Sequence, residues 1–321
     1  MGQAPGNASR AATACMTVRG YASRRNASYK GRDEKHLLVH THDVSPPMTV
    51  SPNDFTAIAD RLIAAQDGAT MLAPFTAGMP DLSVADAYAV LAEIEARRRA
   101  QGWRSVGRKI GFTNATIWPR YDVWQPNWAH VWANSVQHAQ DGRAALTLRP
   151  FVQPRIEPEV VFGLSAPVPA TDDPLAVLAC VDWIAPGFEI VHSVFPDWKF
   201  KAPDCTAACA LHGALVVGTP VAVTAESRAA LADRLPTFAL TLSRGNTVVD
   251  RGVGANVLKS PALALAHLAR VLADLPQFPP LAAGEIVTTG TITDAWPVVP
   301  GETWSSDYGG LGLEGLTLTL S

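Results

Sequence analysis

Two glutamates stand two residues apart at the head of an apolar run, Arg155-Ile156-Glu157-Pro158-Glu159-Val160-Val161-Phe162, and Glu189 sits inside a second run, Gly187-Phe188-Glu189-Ile190-Val191. In an extended chain residues i and i+2 share a face, so Glu157 and Glu159 point into the same space. Carboxylates gathered inside a core repel one another and lose hydration, which costs several kcal/mol unless protons or a cation offset the charge. That demand restricts the fold, because the first run must be a strand that delivers Glu157 and Glu159 to one protected, counter-charged place, and Glu189, a lone acid inside a second apolar run, calls for a partner. A hard divalent ion, Mg2+ or Mn2+, meets it, since such ions take oxygen ligands and keep positions open for a substrate. An isolated Glu-x-Glu pair is more often a solvent-facing strand edge; the apolar flanks here argue for burial. Pro158 lacks a ladder donor, which predicts an edge or a bulge at this end of the strand.

The 321 residues, 48% hydrophobic and 17% charged, are enough for a large core. A net charge of -3 gives no basic footprint for nucleic acid. No apolar run approaches the roughly 18–20 residues of a membrane span. A small-molecule ligand is therefore expected. The cysteines, Cys15, Cys180, Cys205 and Cys209, are too scattered for a disulfide scaffold, which suggests a reducing cytoplasm. Cys205, Cys209 and His212 have a spacing open to zinc, but without an evident fourth ligand they read as small buried groups. Residues 1–47 are rich in Ala, Ser, Arg and Asn with no acid before Asp33, the composition of a disordered extension, a transit-like leader or an over-extended start. Residues 48–321 read as a single catalytic domain.

From Met48 the pattern becomes regular. Ser51-Pro52 opens a helix carrying Phe55, Ile58, Leu62 and Ile63, and Ser83 opens another that carries Val84, Ala87, Tyr88, Leu91 and Ile94 before Gly102 ends it. Strands are expected at 107–112, 145–149, 159–164, 188–192, 213–218, 285–290 and 313–320, with a hairpin at 237–251 turning near Gly245-Asn246. Two further helices follow Asp173-Pro174 and Ser260-Pro261. The order lacks strand–helix alternation, so the expected class is α+β with a mostly antiparallel core. The stretch 118–132 holds four of the nine tryptophans and reads as a long loop, a pocket wall or an oligomer contact. Gly252-Val253-Gly254 lacks the third glycine of a nucleotide loop.

Several blocks resemble, in order, the 2-keto-4-pentenoate hydratase and 4-oxalocrotonate decarboxylase group of the fumarylacetoacetate hydrolase superfamily. They are Gly107 through Asn114, Glu157 and Glu159, Glu189 through Ser193, Asp197 through Lys201 with Asp204, Gly252 through Pro261, and Gly290-Thr291 through Gly312. The resemblance spans roughly residues 50–320. It implies a twisted β-sandwich roll with N-terminal helices, a divalent ion on Glu157, Glu159 and Glu189, Lys109 projecting into the pocket, and Ser193 and Lys199 near the substrate. It also implies a homo-oligomer. Beside a cation, a desolvated Lys109 would have a lowered pKa and could shuttle protons, although a structural ion pair is the alternative. Ser193 could instead cap a turn, and Lys199 could reach solvent.

Hydratases of this group commonly carry Asp in a Gln-Pro-Asp-aromatic segment, where this chain has Gln125-Pro126-Asn127-Trp128. Asn cannot take a proton at neutral pH, so proton transfer falls to Lys109, to His130 or to water. The leading expectation is hydration of a 2-hydroxy-2,4-dienoate, of the kind made in aromatic-compound breakdown, to a 4-hydroxy-2-oxo acid. Decarboxylation of a 4-oxalocrotonate-type diacid is the alternative, and a catalytically silent ligand-binding relative is a third. Acylpyruvate hydrolysis would need a water-activating His–acid pair that the sequence does not reveal. A chain beginning at Met48 should match the full chain in activity and Tm; aggregation or lost activity would contradict this reading of the N-terminus.

Overall fold

The computed structural model describes residues 51–321. The expected N-terminal extension lies outside the described residues. Two helices, α1 (Pro52–Asp67) and α2 (Val84–Ala100), open the fold. Ser51 donates through its amide and hydroxyl to Asp54, and the Ser83 hydroxyl accepts from the Asp86 amide, so both starts are capped as their sequences dictate. Ile58, Leu62, Ala87, Val90 and Ile94 meet in one apolar layer between the two helices. Later helices are α3 (Trp118–Tyr121), α4 (Pro174–Leu178), α5 (Ala202–Ala207), α6 (Arg228–Arg234) and α7 (Pro261–Ala273). Of these, α4 and α7 begin at the expected Pro residues.

The strands are β1 (Ser105–Gly111), β2 (Asn127–Trp132), β3 (Val136–His138), β4 (Arg143–Leu146), β5 (Arg155–Leu164), β6 (Val181–Val191) and β7 (His212–Val217). They continue as β8 (Val221–Ala222), β9 (Ala239–Arg244), β10 (Thr247–Val253), β11 (Ile286–Thr288), β12 (Trp296–Pro297), β13 (Thr303–Gly309) and β14 (Leu313–Leu320). One nine-stranded sheet runs β2-β1-β11-β5-β6-β7-β3, with β12 also on β5 and β8 on β6; a five-stranded sheet runs β10-β9-β13-β14-β4. Among the described residues only β1 with β11, β3 with β7 and β14 with β4 pair in parallel, in keeping with an α+β fold. Gly245, in the left-handed region at φ 55°, turns the β9–β10 hairpin.

Ile156, Val160, Phe162, Phe188 and Ile190 pack from one face of the larger sheet onto Leu240, Leu242, Trp304, Leu316 and Leu318 of the smaller sheet and Leu265 and Leu268 of α7. With these residues facing the main core, strand alternation turns Glu157, Glu159, Val161 and Glu189 to the other face. Tyr308 fastens the sheets together, its hydroxyl donating to the Glu159 carbonyl at 2.7 Å.

Two expectations change. Pro158 is not at a sheet edge, because β5 lies between β11 and β6. Its missing donor is tolerated because β11 pairs only with residues 161–163 and β12 only with 155–156, and the chain crosses the gap through Ile292, whose amide donates to the Pro158 carbonyl at 3.1 Å. The tryptophan stretch is only partly a loop, since residues 127–132 form β2, buried throughout and paired to β1. Apolar residues on both faces hide its alternation. Gly107 answers to close packing rather than to a turn, for a β-carbon there would strike the Ile286 carbonyl oxygen across the β1–β11 pair. Gly107→Ala should destabilise the protein by at least about 2 kcal/mol, the scale of overpacking, and lower Tm; an unchanged Tm would contradict the close strand approach.

Candidate metal centre and substrate cavity

Strand register assembles the site. Glu157 on β5 lies directly opposite Glu189 on β6, and Glu159 lies opposite Gly187. One oxygen from each of the three carboxylates falls within 4.8 Å of the others. Lys109 arrives from β1 at the level of Thr288 on β11, bringing its ammonium to 3.2 Å from Glu189 Oε2. Lys109 Nζ also donates to the Ala210 carbonyl at 2.9 Å. Glu159 is fully buried, and its Oε2 accepts from Thr288 Oγ1 and, at 2.6 Å, from the Gly290 amide. Glu189 Oε1 accepts from His212 Nδ1 at 2.7 Å.

Burial and mutual repulsion push the Glu159 carboxyl well above the ordinary range. Burial is also the main cause raising Glu157 to about 7, opposed by Lys109 and reinforced by Glu189. Burial would raise Glu189 too, but Lys109 and His212 beside it hold it below the usual value. For Lys109, burial pulls downward while Glu189, Glu157 and Glu159 pull upward and win, so its pKa is raised. With the three carboxylates uncompensated by a cation, they hold this side chain as an ammonium. Glu159 Oε1 is buried without a hydrogen-bond donor among the described residues, and Glu189 Oε2 faces the Lys109 ammonium at 3.2 Å without a well-formed hydrogen bond. Three converging carboxylates with such lone pairs suit a hard divalent cation.

The centre opens into a cavity of about 330 Å³ bordered by Lys109, Glu157, Asn127, Arg155, Trp198 and Phe200. Asn127 thus faces the cavity, opposite Gly111, whose lack of a side chain leaves room for Oδ1. Asn127 Nδ2 donates to Thr206 Oγ1 at 3.1 Å, and Oδ1 is buried without a partner among the described residues. The Arg155 guanidinium lies 4.0 Å from the centre of the Trp198 ring.

Three expected site residues are placed elsewhere. His130 pairs with Arg108 rather than Lys109 across β1 and β2, so it projects from the opposite face of the sheet. There Nε2 lies 2.9 Å from Glu95 Oε2 and Nδ1 2.9 Å from Ser105 Oγ, and burial lowers its pKa. Ser193 is spent on a turn, donating to the Phe195 carbonyl at 3.0 Å and accepting the Phe195 amide at 3.1 Å. Lys199 is 82% exposed and pairs with Asp197 at 3.5 Å, while its neighbours Trp198 and Phe200 turn to the cavity. Cys205, Cys209 and His212 do not converge on a metal; His212 is engaged by Glu189, and burial pushes the Cys205 thiol up to about 12.

Other contributors were overlooked. Arg155 shares the face of Glu157 and Glu159 by the same i, i+2 rule and could have been read from it. Gly290 opens the Gly290-Thr291 block, and Thr288 lies two residues before it. Nothing local marks His212, whose contact with Glu189 arises from pairing across strands.

A family profile described as fumarylacetoacetate (FAA) hydrolase C-terminal matches residues 120–315. The chain is 32% identical over 256 residues to 2-hydroxyhexa-2,4-dienoate hydratase of Comamonas testosteroni, an overlap of 78% of this chain and 92% of that protein. It is 31% identical over 267 residues to 2-keto-4-pentenoate hydratase of Paraburkholderia xenovorans strain LB400, covering 82% and 94% of the two chains. Its structure is similar to 4-oxalocrotonate decarboxylase from Pseudomonas putida G7 complexed with magnesium and adipate, with a TM-score of 0.76, 26% identity, and 85% and 99% of the two chains covered. Glu157→Gln, Glu159→Gln and Glu189→Gln should each remain folded and lose most Mg2+ and Mn2+ affinity by calorimetry; unchanged binding in all three would misplace the site.

Proposed function

The chain belongs to the fumarylacetoacetate hydrolase family, and from that premise we propose that it is a divalent-metal-dependent lyase that hydrates a 2-hydroxy-2,4-dienoate to a 4-hydroxy-2-oxo acid. The observation that carries the proposal is the convergence of Glu157, Glu159, Glu189 and Lys109, with Glu157 and Lys109 opening onto one cavity. The three glutamates would hold Mg2+ or Mn2+, which when bound stabilises the negative charge that develops on an enolate. Lys109 stands beside Glu189 at the cavity as a proton-carrying group, and the Ala210 carbonyl restricts where its protons point. Thr206 holds the Asn127 amide, leaving Oδ1 to accept a hydrogen bond from a hydroxyl or a water in the cavity. Trp198 and Phe200 supply an apolar wall beside a conjugated, planar substrate. An intact Lys109 and three acids argue against a silent ligand-binding relative. The proposal extends to a homo-oligomer, as the resemblance implies, and to a reducing cytoplasm, which accords with the free thiols of Cys180, Cys205 and Cys209.

A second reading, decarboxylation of a 2-oxo-3-enedioate, draws on two observations. Asn127 places a neutral amide where a carboxylate would repel a dianion, and Arg155 adds a cation to the same cavity. The structural neighbour complexed with a diacid favours it as well.

Asn127→Asp separates the two. For a hydratase, a new proton carrier should raise hydration turnover, and general acid–base groups typically contribute about 10²–10⁴-fold, so a partial gain is measurable. Higher KM for a diacid with no gain on dienoates would favour the decarboxylase. Kinetics unaltered on both substrate classes, followed by ultraviolet absorbance and CO2 release, would remove Asn127 from the chemistry.

A further inference from the structure

A three-residue left-handed stretch precedes β7: Cys209, Ala210 and Leu211 have φ of 57°, 47° and 63°. Non-glycine residues held there cost of order 1 kcal/mol each, so the surroundings must enforce the shape. Its product is visible at both ends. The Ala210 carbonyl is turned onto Lys109 Nζ, and the chain enters β7 at His212.

A bulge then decides where His212 points. Ile190 pairs with Ala214 and Val191 with His212, so Gly213 is the extra residue on β7. Regular pairing would set Gly213 opposite Val191 and send His212 to the far face of the sheet. The extra residue moves His212 to the face of Val191 and Glu189 instead. Gly213 is suited to the role because a β-carbon there would meet the Ile190 carbonyl oxygen at 2.6 Å.

We infer that His212, oriented by Ser135, is a positioning residue that fixes the rotamer of Glu189 and so presents Glu189 Oε2 to the divalent ion. Its Nδ1 donates to Glu189 Oε1 at 2.7 Å, and its Nε2 lies 2.8 Å from Ser135 Oγ. Ser135 is itself fixed on Trp132, its hydroxyl 2.9 Å from the carbonyl oxygen and 3.3 Å from the amide nitrogen. The ring is buried and borders a different cavity, of about 780 Å³, shared with Ser135, Trp132 and His192. It is not among the residues bordering the substrate cavity, so it acts through Glu189 rather than on substrate. With one carboxylate oxygen held by His212, the other lies 3.2 Å from the Lys109 ammonium, on the carboxylate that clusters with Glu157 and Glu159. Partners of this kind around metal ligands typically change affinity about 10–100-fold.

The inference rests on the metal reading of the three glutamates, and Mn2+ tests both separately. Calorimetry and electron paramagnetic resonance of Mn2+ would be recorded for the wild-type chain and for His212→Leu, His212→Asn and Ser135→Ala. His212→Leu should weaken Mn2+ binding about 10–100-fold and alter the Mn2+ spectrum. His212→Asn, which retains a donor near the Nδ1 position, should recover most of the affinity, a rescue that loss of packing alone would not give. Ser135→Ala should shift affinity in the same direction by less, and it stands in if His212→Leu does not fold. Wild-type affinity and spectrum in His212→Leu, or in Ser135→Ala should His212→Leu not fold, would overturn the positioning role while leaving the metal site intact. A wild-type chain that takes up no Mn2+ would overturn the metal reading and the inference with it.

Discussion

Three carboxylates and one ammonium share a desolvated space on one face of the nine-stranded sheet, and the rest of the architecture serves that arrangement. An uncompensated buried charge costs several kcal/mol, a large part of the roughly 5–15 kcal/mol that separates a folded domain from its unfolded chain. Lys109 balances one negative charge. Thr288 and the Gly290 amide satisfy one oxygen of Glu159, and His212 satisfies one of Glu189. Burial first, and the neighbouring negative charges after it, raise the pKa values of Glu157 and Glu159. Either protons or a cation must supply the difference, and near neutral pH a divalent ion competes well for that role.

Backbone features of this kind would be difficult to explain by stability alone. The left-handed stretch at 209–211, the bulge at Gly213 and the broken ladder beside Pro158 each carry a local cost, and each adjoins the site. Together they aim the Ala210 carbonyl at Lys109, His212 at Glu189, and the 290–295 segment over the cavity. Strain concentrated at a site and over-determined by the surrounding sheets is what preorganisation requires. The Tyr308 hydroxyl completes the support by tying the smaller sheet to the backbone that bears Glu159.

Much of this was legible in the sequence, for specific reasons. Acids at i and i+2 in an apolar run share a face, so Glu157 and Glu159 could be paired without a structure, while Glu189 joins them through the resemblance. Ser51-Pro52 and Ser83 announce helices through local capping, which depends on neighbours in the chain alone. The strand at 127–132 stayed hidden because both of its faces are buried, erasing the alternation that marks a half-exposed strand. His130 was misplaced for the same reason, since its side of β2 cannot be assigned without the strand. Ser193 and Lys199 came from resemblance alone, and here a turn and a solvent-facing side chain account for them. His212 was read only as part of a cysteine-histidine spacing, because one extra residue in β7 decides its direction and no local pattern reveals a bulge.

The central claim is that Glu157, Glu159 and Glu189 hold a divalent ion at the wall of the cavity that contains Lys109. Anomalous scattering from crystals grown with Mn2+ tests it most directly. A single strong peak within coordination distance of one oxygen from each glutamate, on the cavity side, is the predicted result. A peak at other residues, or none at these three with Mn2+ in excess, would contradict it.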